Sequence, residues 1–93
     1  MESIEIPTNT MVITLKEIID GEKPILFVSH DEEDGMWQFL DGSMELDTDN
    51  ARIITIEEIL KIDNSLCLLM DLPQGWIAER NNNEVGWNRR KNV

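Results

Sequence analysis

Two short apolar runs, residues 25–29 (Ile-Leu-Phe-Val-Ser) and 36–40 (Met-Trp-Gln-Phe-Leu), are separated by the polar hexapeptide His30-Asp-Glu-Glu-Asp-Gly35. Each run is too short for a helix face, and Phe27, Val28, Trp37 and Phe39 are strand formers. The aspartates and glycine between them carry turn chemistry, so the stretch predicts an antiparallel hairpin that feeds the core and displays an acidic tip. The rest of the chain has to supply strands to flank this hairpin and helices to cover it.

Those helices are announced by their caps. Thr14-Leu-Lys-Glu17 and Thr55-Ile-Glu-Glu58 both have the form of a capping box, threonine hydroxyl to backbone N–H and glutamate back to the cap. Leu15, Ile18 and Ile19 follow at helical spacing, and Gly21 is placed to stop the first helix after one or two turns. Ile56, Ile59 and Leu60 form the apolar stripe of the second. Asp63 can cap a third over 64–71, with Leu66, Leu69 and Met70 inward, ended by Leu72-Pro73. Met11-Val12-Ile13, Arg52-Ile53-Ile54 and residues 76–80 and 85–90 read as further strands, the last two joined through an asparagine-rich loop. Together these predict an α+β fold, a small antiparallel sheet of about 4–6 short strands packed on two or three short helices. Residues 1–93 are expected to form a single domain, with 1–10 a loosely ordered lead and 91–93 a flexible tail.

Nineteen acids against eight lysines and arginines leave a formal charge of −11. A field of that sign repels nucleic-acid phosphate and anionic membrane, and favours a basic protein surface or a cation. The imbalance is sharpest over residues 24–51, which hold no lysine or arginine but carry Asp31, Glu32, Glu33, Asp34, Asp41, Glu45, Asp47 and Asp49. Of these, Asp31, Glu32, Glu33, Asp34, Glu45, Asp47 and Asp49 are the candidate partner-binding residues. Trp87, beside Gly86, is the candidate aromatic anchor, while Trp37 and Trp76 are expected in the core. Arg89-Arg90-Lys91 is expected to lie against the acidic segment.

Little in the chain suggests catalysis. A single histidine excludes a two-histidine metal site, and no serine sits in a nucleophile-elbow context. Glycine-rich phosphate loops are absent, and no one carboxylate pair stands out. Cys67, in Leu66-Cys67-Leu68-Leu69, is expected to be a buried structural thiol. The chain is therefore read as non-catalytic and without a cofactor. Laid on the calcium-loop template, Gly35 takes the glycine position, His30, Glu32 and Asp34 the first three ligand positions and Asp41 the last. Histidine is a poor ligand for calcium and the flanks are strand-like, so cation binding by the same acids is the alternative reading. One cysteine, an N-terminus without a signal-peptide pattern and a longest apolar run of five residues (66–70) point to the cytoplasm and away from the membrane.

Four segments together resemble a known family: residues 24–31, residues 34–42 (Asp-Gly-Met-Trp-Gln-Phe-Leu-Asp-Gly), residues 49–63 with their Ile-rich helix, and residues 71–80 (Asp-Leu-Pro-Gln-Gly-Trp-Ile-Ala-Glu-Arg). These look like the small bacterial domains grouped with immunity proteins of polymorphic toxin systems, and the likeness spans about residues 11–88. It implies a protein that binds and neutralises a partner, such as a toxin. It carries over no catalytic residue.

Overall fold

The computed structural model describes residues 9–42, 49–81 and 86–91. The elements run β1 (Met11–Leu15), α1 (Lys16–Ile19), β2 (Phe27–His30), β3 (Trp37–Leu40), β4 (Ala51–Thr55), α2 (Ile56–Ile62), a 3₁₀ helix (Asn64–Leu69), β5 (Trp76–Glu79) and β6 (Asn88–Lys91). The strands form one six-stranded sheet in the order β4-β1-β3-β2-β5-β6. The α+β architecture is the one the sequence predicts, and the expected antiparallel hairpin lies at its centre, with Val28 opposite Phe39 and His30 opposite Trp37.

The sheet is mixed rather than wholly antiparallel, because β1 meets β3 in parallel, Ile13 beside Gln38. The remaining contacts, β1 with β4, β2 with β3 and β5, and β5 with β6, are antiparallel. The parallel contact arises because β2 lies on the far side of β3 from β1. A parallel pair needs a crossover of a dozen or more residues, and α1 together with β2 supplies it.

Thr14 reinforces that seam. Its side chain is wholly buried, and its hydroxyl donates to the Phe39 carbonyl at 2.7 Å. The threonine is therefore committed to β1 and caps nothing. Helix α1 starts after Leu15 with no side-chain cap, contrary to the capping box its sequence suggests. The second box forms as expected: the Glu58 N–H donates to Thr55 Oγ1 at 3.2 Å, and the Thr55 N–H donates to Glu58 Oε1 at 3.1 Å.

One face of the sheet holds the core. Val12, Val28, Phe39 and Ala78 pack there with Ile18, Ile56, Ile59, Leu66 and Leu69 from the helical segments. Strand alternation places Ile13, Ile53, Ser29, Gln38 and Phe27 on the opposite face. Cys67 is exposed rather than buried. In a 3₁₀ helix residues three apart eclipse one another, so Leu66 and Leu69 share the inward side and Cys67 and Leu68 turn outward.

Arg80, at the end of β5, ties the layers together. Its guanidinium donates from Nε and Nη2 to the Ile25 carbonyl at 3.0 and 2.8 Å, from Nη1 to Ser65 Oγ at 3.2 Å, and from Nη2 to Asp63 Oδ2. The Trp87 ring lies 4.1 Å beneath it. Asp63 also accepts from the Ser65 N–H at 3.0 Å, capping the 3₁₀ helix as the sequence suggests. Burial pushes its carboxyl up, but the hydrogen bonds from Ser65 and Arg80 and the Arg80 charge more than reverse this, holding it below the usual carboxylate range.

Candidate functional site

The acidic tip of the β2–β3 hairpin is a built turn. The Asp31 N–H donates to the Met36 carbonyl at 2.8 Å, and the Gly35 N–H donates to the Asp31 carbonyl at 3.1 Å. Asp31 Oδ1 accepts from the Glu33 N–H at 2.7 Å, and Asp34 Oδ1 accepts from the Met36 N–H at 2.9 Å. Two of the four acids thus hold the loop by satisfying its own backbone donors, as short acidic side chains do in Asx turns. That leaves Glu32 and Glu33 as its outward charges. Both are exposed, and neither is ion-paired among the described residues.

A second turn at 73–76 braces the first. The Trp76 N–H donates to the Pro73 carbonyl at 3.1 Å, and the Gly75 N–H donates to the His30 carbonyl at 2.7 Å. His30 Nδ1 lies 2.7 Å from the Leu72 carbonyl. Since a carbonyl only accepts, that nitrogen carries the hydrogen. The imidazole stacks on Trp37 with centroids 4.0 Å apart.

Each turn holds a glycine in the left-handed region. Gly35 has φ +71°, and a methyl group there would sit 2.7 Å from Gln74 Nε2. Gly75 has φ +85°, the left-handed backbone its turn requires, while a methyl group there would meet the Glu32 side chain only at an ordinary contact distance of 3.5 Å. The tip is consequently held against the body of the protein and does not wave free.

Gly35→Ala should lower stability by about 1–2 kcal/mol through the left-handed backbone and should displace the Gln74 amide. Amide hydrogen exchange checks it. Exchange at Gly75 and Asp31 should speed up in Gly35→Ala and not in Gly21→Ala, whose position is left-handed but open. Equal effects of the two would mean that the turns do not brace each other.

The other candidate residues are not gathered here. Leu15 and Leu40 mark one end of the sheet, with Ala51 paired to Leu15, so Asp49 lies at that end while the tip lies at the other. The four-residue hairpin strands set the separation. Asp41 follows Leu40 at the Asp49 end, within 3.1 Å of Lys23, whose ammonium the Asp41 hydrogen bond and charge hold above its usual pKa. Glu45 and Asp47 lie outside the described residues. Trp87 precedes Asn88, which pairs with Glu79 at the end away from the tip. It is half-buried and packs against the core under Arg80, with its Nε1 buried and without an acceptor among the described residues.

Nor do the terminal arginines pair with the acidic tip. Arg89 pairs with Asp71 at 2.7 Å and Arg90 with Glu79 at 3.0 Å. Both carboxylates lie outside residues 24–51; antiparallel pairing with β5 sets Asn88 beside Glu79 and carries Lys91 to Trp76, at the hairpin-tip end, where among the described residues it makes no ion pair with the tip acids.

No family model, curated protein or solved structure matches this chain. What the tip can do therefore has to come from its chemistry. Among the described residues no three histidine, cysteine, aspartate or glutamate side chains come together as a metal-holding group. In particular, Asp31 and Asp34 turn toward backbone donors of the loop, and His30 Nδ1 toward Leu72. No described helix is long and apolar enough to cross a membrane.

Sequence reasoning names the acids of the tip but misses its neighbours. Gln74 and Gly75 are the brace, and an open groove of about 500 Å³ beside the tip is lined by Phe27, Ser29, Gln38, Glu32 and Glu33. Pro73-Gln-Gly75 is visible as turn chemistry in the sequence, but that it faces the hairpin follows only from the β2–β5 pairing.

Proposed function

We propose that this chain is a non-catalytic cytoplasmic protein-binding domain, similar to bacterial immunity proteins, that engages a basic protein such as a toxin. The observation that carries the reading is the state of Glu32 and Glu33. They stand outward on a braced turn, in a protein of charge −11, and neither is ion-paired among the described residues. Exposed, like-signed charge of this kind steers an oppositely charged partner and selects against others. The motif likeness to immunity proteins favours the same class. Asp31 and Asp34 contribute charge and shape to the tip, while Asp49, at the far end of the sheet, adds to the field.

Proteins encoded in the neighbouring reading frames supply the candidates for a binding assay by surface plasmon resonance. A basic one should bind the native chain, and Glu32→Lys with Glu33→Lys should weaken it at least about tenfold. If that double variant binds as tightly as the native chain, the hairpin tip is not the binding site.

A further inference from the structure

The proposed partner contact extends beyond the tip, because the groove opens onto the side of the sheet that the helical core residues do not use. The β4, β1, β3 and β2 registers set Ile53, Ile13, Gln38 and Ser29 in one row across that face, with Met11 one step away on β1. Ile53 is 60% exposed and Met11 47%, both high for large apolar side chains. At the hairpin end the row runs into the groove, where Phe27, Ser29 and Gln38 meet Glu32 and Glu33. None of the chain's lysines or arginines lines the groove, whose acidic lining side chains are Asp31, Glu32 and Glu33.

We infer that this face seats a segment of a basic protein, placing one arginine or lysine side chain in the groove and apolar side chains along Ile13 and Ile53. The inference rests on the protein-binding reading and names where the partner lies. The chemistry matches feature by feature. An arginine or lysine is an aliphatic stem with a cationic head, and stems of that kind pack on apolar surface while their heads reach polar groups. Here Phe27 meets the stem and the paired glutamates meet the head. The Glu32 side chain lies beside Gly75 at the edge of the groove. A hydrogen bond from a cationic head to a carboxylate is charge-assisted and stronger than one between neutral groups. The apolar row explains why isoleucine and methionine stand exposed on a strongly acidic domain.

The test is an NMR titration of the full, ¹⁵N-labelled chain with the acetylated, amidated tripeptide Arg-Ile-Arg and with its citrulline counterpart, which keeps the shape and lacks the charge. The arginine peptide should produce saturable shifts at the Ser29, Glu32, Gln38, Gly75 and Ile13 amides. Its affinity should fall about tenfold on Glu32→Gln with Glu33→Gln, with unmoved core resonances reporting an intact fold, and the citrulline peptide should bind no better than that variant. Saturable shifts confined to the Asp41 and Asp49 end, or no saturable shifts at all, would overturn the groove as the seat. Neither result touches the wider protein-binding reading, which the partner assay decides separately.

Discussion

Replacing Arg80 by alanine should destabilise the protein by about 3–5 kcal/mol, the range seen when one member of a buried, hydrogen-bonded ion pair is removed. The Arg80 side chain is only 2% exposed, and its loss strands Asp63, the Ile25 carbonyl and Ser65 while leaving the Trp87 ring without its cover. Against a typical total of about 5–15 kcal/mol, such a change is a large fraction of stability, and a urea midpoint measures it. Acid should reduce the difference. The folded-state pKa of Asp63 lies below its unfolded value, so its contribution is complete above the ordinary carboxylate range near about 4 and fades as pH falls through the lower folded value. The gap between native chain and variant should therefore be widest near neutrality and narrow toward pH 2 or so. A gap that stays constant with pH would show that Arg80 acts by packing alone.

Phe39→Ala should lower stability by a similar amount, about 3–5 kcal/mol, through lost burial and the cavity left behind. Phe39 has no solvent exposure, stacks near Trp37, and lies on the strand that joins the hairpin to β1. Should that variant fail to fold, Phe39→Leu provides the graded version, with a loss nearer about 1.5 kcal/mol. A loss below about 1 kcal/mol for the alanine variant would mean that the centre of the sheet is not the main store of stability.

These two positions mark what a sequence can and cannot reveal. Phe39 was legible, because alternation of apolar residues around a turn fixes both the hairpin and its inward face. The box at Thr55 was legible too, being a local bargain between side chain and backbone. Thr14 was not, since the same local pattern lost to a tertiary partner, the Phe39 carbonyl, that only the β1–β3 seam supplies. Cys67 turned outward because the segment took a three-residue period, which apolar composition alone does not distinguish from an α-helical one. Arg80 reads in the sequence as the end of a strand, and its role follows from three partners distant in sequence.

The candidate site divides in the same way. Four acids around a glycine announce an exposed turn, but which of them are spent on the turn itself depends on Asx geometry, and Asp31 and Asp34 are the two that are. Sequence proximity also suggested one continuous acidic surface over residues 24–51. The strands interrupt it, sending Asp41 and Asp49 to one end of the sheet and the tip to the other.

The central claim is that Glu32 and Glu33 steer a basic protein onto the braced tip, and the association rate as a function of ionic strength tests it most directly. For the native chain the rate should fall steeply with added salt, as it does when unpaired surface charges guide encounter. In Glu32→Gln with Glu33→Gln it should be slower at low salt, with a distinctly shallower slope. Identical slopes for the two proteins would place the steering charge elsewhere on the molecule and contradict the account.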